Sequence, residues 1–202
     1  MRPDPLRGSP RALSGLLLMG ATLAGCGQEP PATPTESRIG RVLPKSGEVW
    51  GRDLAAGLGL RADELCQELG QIDCIADAHA ITLGGVDAAG LGIDAPLADP
   101  PVSAPMAVDR VAQSACALRY ARDLDGPAVI FGPVLDADLP HSRARVATAL
   151  VERLLGRETN PAELQGFEQL YADLQPVSDD LRRDWSIGAC VVVSTSLEAL
   201  FY

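Results

Sequence analysis

Five cysteines are the residues of this sequence with the clearest chemical potential. They are Cys26, Cys66, Cys74, Cys116 and Cys190. A thiol can form a disulfide, take a covalent group or bind a metal, and attachment of c-type haem needs the pattern Cys-x-x-Cys-His. No two cysteines of this sequence have that spacing. We therefore expect no haem, and the sequence indicates no other cofactor.

Acidic side chains and one histidine gather in a second candidate region, residues 123–141. The members that could hold a divalent cation are Asp123, Asp125, Asp136, Asp138 and His141. The calcium-loop pattern does not fit, because Gly126 at its sixth position puts Ala121 at the first and Gly132 at the twelfth. We therefore predict a solvated acidic loop and no metal. A metal site formed by Asp136, Asp138 and His141 is the alternative.

The first 25 residues have the pattern of a secretory signal. Residues 1–11 contain three arginines, and residues 12–25 are apolar or small apart from Ser14 and Thr22. This apolar run of 14 residues is shorter than the roughly 20 that a membrane-spanning helix needs. We therefore predict a signal peptide over residues 1–25 and an exported protein.

The end of that run, Leu23-Ala24-Gly25-Cys26, resembles the lipobox of bacterial lipoproteins. The resemblance implies cleavage before Cys26, a diacylglycerol on its sulfur and an acyl chain, such as palmitate, on its new amino group. Several acyl chains give stable membrane anchoring where one does not, at about 0.8 kcal/mol per buried CH₂. An ordinary signal peptide followed by a chance cysteine is the alternative. We expect lipidation of Cys26, with the membrane as the first partner.

We predict that residues 26–41 form a flexible tether. They are rich in proline, threonine and glutamate and poor in apolar side chains, a composition that buries too little surface to fold. In lipoproteins of Gram-negative bacteria, an aspartate after the lipidated cysteine favours retention in the inner membrane, whereas this chain has Gly27 and Gln28. The resemblance therefore implies the outer membrane, with the folded domain in the periplasm or at the cell surface.

The charge of the chain argues against nucleic acid as a partner. The formal net charge is −10, and removal of residues 1–25 takes away three arginines and one aspartate, which leaves −12. An acidic surface of this kind repels phosphate backbones. It also gives no electrostatic attraction to anionic lipid headgroups. Membrane attachment would therefore depend on the lipid.

Apolar residues at helical spacing dominate residues 42–202, which we predict to form a single helical domain. Gly57 and Gly59 should interrupt the first helical region, and Gly70 should end it. A turn-rich connection is expected over residues 84–105. The helical regions are residues 51–70, 74–81, 104–124, 141–156, 161–174 and 178–202, and residues 128–131 are a short strand or a buried extended segment. The predicted fold class is mostly α, a small irregular helical bundle with long loops.

Disulfides should staple this domain. Lipidation of Cys26 leaves four cysteines, which an oxidising compartment would pair in one of three ways. We predict Cys66–Cys74, because one chain reversal at Gly70 separates the two residues. Cys116 and Cys190 lie on the apolar faces of two helices, and helix packing would bring them together. Four buried free thiols are the alternative.

The C-terminal third also has a resemblance. Residues 154–174, "LLGRETNPAELQGFEQLYADL", followed by "STSLEALFY" at residues 194–202, are similar to the terminal helices of large envelope proteins in planctomycetes and myxobacteria. Those proteins are often associated with c-type cytochrome domains. The resemblance implies an envelope protein that works beside larger partners, and it assigns no catalytic residue.

Two function classes follow from the sequence. The first is a lipid-anchored cell-envelope protein whose helical domain is a non-catalytic binding or accessory subunit of an envelope complex. The second is a metal-dependent enzyme with its site in the Asp136, Asp138 and His141 loop. The first is favoured because the sequence contains no convergent set of catalytic residue types.

Overall fold

The computed structural model describes residues 43–97 and 99–202. The predicted signal peptide, the tether and the lipidation site at Cys26 lie outside these residues. Within them the chain is mostly α-helical, as predicted. The helices are α1 (Gly47–Leu58), α2 (Ala104–Asp125), α3 (Gly132–Asp136), α4 (Pro140–Leu155), α5 (Pro161–Leu174), α6 (Leu181–Ser194) and α7 (Leu197–Leu200).

Capping residues define the ends of several helices. Asn160 begins α5 with a capping box: its side chain accepts from the Glu163 N–H, and the Glu163 carboxylate accepts from the Asn160 N–H. Gly59 ends α1 and Gly156 ends α4, both in the left-handed conformation that favours glycine. These positions are readable in the sequence, and they fix the lengths of the helices that form the bundle.

The core lies between α2, α4, α5 and α6, and α1 packs against α4. Its largest fully buried side chains include Trp185, Phe131 and Leu150. Val146 and Leu150, which are four residues apart on α4, are completely buried. Helix α6 contacts α2, α4 and α5, and α4 contacts α1, α3, α5 and α6, so both helices lie at the centre of the bundle.

Both predicted disulfides are present. The Cys66 and Cys74 Cα atoms are 5.4 Å apart, and those of Cys116 and Cys190 are 5.8 Å apart. The second bridge joins α2 to α6 in the buried core. The predicted fold class, a mostly α domain stapled by disulfides, is therefore confirmed.

The setting of the first disulfide differs from the prediction. Helix α1 ends at Leu58 because the left-handed Gly59 N–H bonds to the carbonyls of Ala55 and Ala56. The chain then forms a 3₁₀ turn and an antiparallel hairpin of β1 (Gln67–Glu68) and β2 (Ile72–Asp73). Gly70 therefore turns a hairpin and does not end a helix.

Two other predicted elements also differ from those in the structure. The helix expected over residues 74–81 is one π-helical turn, Cys74–Ala78. Residues 128–131 are neither a strand nor an extended segment. The buried Asp123 carboxylate accepts hydrogen bonds from the backbone N–H groups of residues 129, 130 and 131, and the backbone bends around this carboxylate.

The predicted last helix is broken between α6 and α7. The hydroxyls of Ser194 and Thr195 donate to the carbonyl of Val191, and such side-chain bonds compete with a regular helix. The Ser196 hydroxyl then accepts from the Ala199 N–H and caps α7. The break gives the chain a bend on which the candidate site depends.

Candidate functional site

The acidic loop singled out by sequence is part of an ion-pair cluster. Asp138 accepts from Arg143 at 2.9 Å and from the Tyr171 hydroxyl at 3.0 Å. Arg143 also bonds both carboxylate oxygens of Glu168, stacks 3.7 Å from the Tyr171 ring centroid and has a side chain only 6% exposed. Burial, together with the hydrogen bond to Asp138, raises the pKa of Tyr171. Asp138 is thus the charge partner of a buried arginine.

The other two candidates do not join Asp138. Asp136 and His141 are both exposed. Among residues 43–97 and 99–202, no three His, Cys, Asp or Glu side chains form a group that could hold a metal ion. The structure thus gives no support to the metal-dependent alternative.

Two further clusters of charged residues contain ion pairs. Arg119 pairs with Asp123 at 2.6 Å, and both side chains are almost fully buried. On the surface, Glu68 accepts from Arg110 at 2.6 Å and lies 3.5 Å from His79. Asp123 and Glu68 thus each have a cationic partner.

The described part of the chain contains an apolar groove of about 580 Å³. Four separate segments form it: the start of α1 with the residues before it, the turn at 81–84, the connection leading into α2, and the α6–α7 bend. Its apolar lining residues include Trp50, Leu83, Leu97, Pro101, Val108, Leu197, Leu200 and Phe201. We call this feature the apolar groove.

Close backbone contacts hold the segments of the apolar groove together. The Gly47 N–H donates to the Leu83 carbonyl at 2.6 Å, and a Cβ on Gly47 would lie only 2.5 Å from the Leu83 Cβ. Only glycine permits this approach. Lys45 donates through its N–H to the Leu200 carbonyl at 2.8 Å, which joins the α1 side of the groove to the α7 side.

The floor of the groove is buried and its edge is exposed. Trp50 is buried, and its indole N–H donates to the Ser194 carbonyl at 3.0 Å. At the edge, the lining residue Leu197 is 74% exposed. Further exposed apolar residues are lining residues or their neighbours in sequence: Leu43, Leu97, Val102, Met106 and Tyr202. Exposed apolar residues around a concavity are typical of an interaction site.

Charged residues at the groove are mostly acidic. Asp99 and Asp109 are exposed lining residues. The described lining contains one base, Lys45, and its ammonium group is 2.8 Å from the Asp53 carboxylate and 5.7 Å from the Tyr202 ring centroid. The positive charge of Lys45 is therefore paired, whereas neither Asp99 nor Asp109 has a cationic partner among residues 43–97 and 99–202.

The sequence did not predict this groove. Its segments are far apart in the chain, and periodicity describes one element at a time. The sequence does contain one indication of the groove, which is the apolar character of the turn-rich connection at residues 84–105. This connection contains Leu97 and Val102, together with four prolines that line the groove: Pro96, Pro100, Pro101 and Pro105. Apolar residues in a loop that has no helical stripe are candidates for a binding surface.

Within the part of the chain that the structure describes, no helix has both the length and the apolar character needed to cross a membrane. Cys26, the predicted lipidation site, lies outside that part. Comparison of the chain with protein-family models, with curated proteins and with solved structures finds no match.

Proposed function

We propose that this protein is a lipid-anchored component of the bacterial cell envelope, on the outer membrane, and that its helical domain is a non-catalytic binding or accessory subunit. In this proposal the domain binds another envelope protein through the apolar groove. The observation that carries the proposal is the groove itself, with its exposed apolar edge.

Two features support an anchored, exported protein. The sequence Leu23-Ala24-Gly25-Cys26 resembles a lipobox, and the composition of residues 26–41 suits a tether between membrane and domain. The two disulfides of the helical domain are compatible with an oxidising compartment, because disulfides are rare in reducing ones.

The geometry of the groove supports binding over catalysis. Its volume of about 580 Å³ is within the roughly 300–1,000 Å³ of small-molecule sites, and its open edge would admit a protein segment. The acidic loop singled out by sequence contributes Asp138 to an ion pair with Arg143, which also pairs with Glu168. The apolar groove, as a site for apolar contact, is therefore the feature of the domain that best supports a function.

Lipid anchoring is tested by Cys26→Ser. We expect this variant to lose a metabolic fatty-acid label and to leave the membrane fraction, because the lipid attachment atom is gone. Gly27→Asp is the matched control: it should keep the label and move from the outer to the inner membrane. A Cys26→Ser protein that still takes the label would contradict the anchoring proposal.

Partner binding is tested by site-specific photo-crosslinking in intact envelopes. A benzophenone amino acid at Leu197 would lie in the apolar groove, and one at Val177 would lie outside its lining at nearly the same exposure, 76% against 74%. We expect a discrete crosslinked protein from position 197 and none from position 177. Equal products from both positions, or none from position 197, would refute binding through the groove.

A further inference from the structure

We infer that the apolar groove binds a peptide segment of another protein that has an apolar centre and lysine or arginine at its flanks. This inference rests on the proposed function, in which the groove binds a partner, and it names the chemistry of that partner.

The lining selects an apolar centre. Trp50 forms a buried floor, and Leu97 and Leu197 present exposed apolar surface at the edges. Covering such surface is favourable by about 25 cal/mol per Å². Large exposed side chains around a preformed floor are suited to enclosing two or three apolar side chains of a partner segment.

The backbone of one wall favours recognition through side chains. Four lining residues of this wall are prolines, Pro96, Pro100, Pro101 and Pro105, and proline has no N–H to donate. A partner strand added to a sheet edge needs a row of donors and acceptors. The proline wall does not provide that row, so side-chain contacts must give the affinity.

The charges select basic flanks. Asp99 and Asp109 are exposed at the groove, and the single described lining base, Lys45, is already paired with Asp53. A cationic flank would therefore meet two exposed carboxylates that have no cationic partner in the described part of the chain. Complementary charge of this kind increases the association rate and selects partners.

The same charges argue against two other occupants. An anionic lipid headgroup or a fatty-acid carboxylate would face Asp99 and Asp109, and the net charge of −12 after removal of residues 1–25 gives no attraction to an anionic membrane. A second copy of this chain has that same acidic charge, so two copies would repel each other. A basic-flanked segment of a different protein is the occupant that fits.

The test uses the whole mature chain from residue 26 with Cys26→Ser, so that no acyl chain competes for the groove. The probe is a labelled synthetic peptide with a Leu/Val/Ala centre and two lysines at each end. The matched peptide has two glutamates at each end, and phosphatidylglycerol vesicles provide a lipid arm. Fluorescence anisotropy measures peptide binding, and vesicle co-sedimentation measures lipid binding.

We expect the lysine-flanked peptide to bind about tenfold or more tightly than the glutamate-flanked one. Leu197→Asp should weaken its binding about tenfold, whereas Val177→Asp, at matched exposure outside the groove, should leave it unchanged. The double variant Asp99→Lys/Asp109→Lys should reverse the preference between the two peptides. Circular dichroism melting establishes that each variant is folded.

Three results would overturn the inference. In the first, the lysine-flanked peptide binds equally to the starting protein, Leu197→Asp and the charge-reversed variant, which would place its site outside the groove. In the second, the glutamate-flanked peptide or the vesicles bind in a Leu197-dependent way and the lysine-flanked peptide does not. In the third, nothing binds. In the last two cases, the crosslinking experiment at position 197 still tests separately whether the groove binds a protein partner, as the proposed function states.

Discussion

At the scale of single residues, Leu69 is the least expected feature of the domain. It lies at the tip of the hairpin between Cys66 and Cys74, 91% exposed, with φ of 53°. A left-handed conformation costs a residue with a Cβ roughly 1–2 kcal/mol. Gly70, with φ of 73°, follows it, so the turn uses two consecutive left-handed residues and has its preferred glycine only at the second.

Replacing Leu69 with glycine should therefore stabilise the protein. We expect Leu69→Gly to raise the free energy of unfolding by about 0.5–1 kcal/mol, because relief of the left-handed conformation exceeds the entropy that glycine adds to the unfolded chain. Urea denaturation of the oxidised protein measures the change. Gln71→Gly, an exposed neighbour outside the left-handed region, should lower stability. A less stable Leu69→Gly would contradict this account.

At the level of single residues, the sequence predicts the structure correctly where a residue type has one strong conformational preference. The glycine expected between Cys66 and Cys74 does turn the chain, so the disulfide was predicted correctly even though the element around it was not. Asp123 could not be predicted in this way. Its three hydrogen bonds to the backbone of residues 129–131 depend on burial, which a carboxylate in the sequence does not reveal.

At the scale of elements, the helices were predictable because the spacing of their apolar residues and the positions of their capping residues indicate the same boundaries. Helix α5 begins at Pro161 after the Asn160 cap, as the sequence indicates. Apolar residues at helical spacing lie on both sides of Thr195 and Ser196, so the pattern alone indicates one continuous helix and does not predict the break between α6 and α7. The Thr195 hydroxyl donates to a backbone carbonyl of α6, and the Ser196 hydroxyl caps α7. Hydrophobic periodicity describes which face is buried, and it contains little information about local competition for backbone groups.

The α5 cap makes a prediction about pH. The hydrogen bond from Arg157, with that from the Asn160 N–H, lowers the pKa of Glu163 to about 2. A carboxylate whose folded pKa is below its unfolded value, about 4.3, stabilises the fold above pH 4.3, and this stabilisation is lost as the pH falls toward 2. Glu163→Gln keeps the cap geometry and removes the titration. We expect its melting temperature to change less than that of the starting protein between pH 5 and pH 2.

Glu198 provides the control for that experiment. It also bonds Arg157, at 2.7 Å, but it takes no part in the α5 capping box. Glu198→Gln should therefore keep most of the acid sensitivity that Glu163→Gln loses. Parallel acid melting curves for Glu163→Gln and the starting protein would show that this capping carboxylate does not titrate with a lowered pKa.

At the scale of the whole molecule, the apolar groove depends on how helices and loops are assembled. Its walls come from the starts of α1 and α2, the turn at 81–84 and the α6–α7 bend. Sequence patterns predicted the start of α2 and the turn-rich connection before it, but they did not predict the α6–α7 bend or the convergence of the segments, which follows from packing between distant parts of the chain. The Cys116–Cys190 bridge joins α2 to α6, and both of those helices lead into the groove.

The two disulfides should differ in their contribution to stability. Cys116 and Cys190 are separated by 74 residues and Cys66 and Cys74 by 8. In the chain-entropy model, the long loop is worth about 4 kcal/mol and the short one about 2–3 kcal/mol. We therefore expect Cys116→Ala/Cys190→Ala to lower the free energy of unfolding by more than Cys66→Ala/Cys74→Ala, as measured by urea denaturation.

The same pair of variants tests whether the bundle positions the groove. Residues 66–74 contribute nothing to the groove's described lining, whereas the start of α2 and the bend after α6 both do. Loss of the α2–α6 bridge should therefore weaken binding of the lysine-flanked peptide at a temperature where both variants remain folded. Loss of the hairpin bridge should leave that affinity unchanged. Equal affinities for the two variants would mean that helix packing alone, without the covalent link, holds the groove in shape.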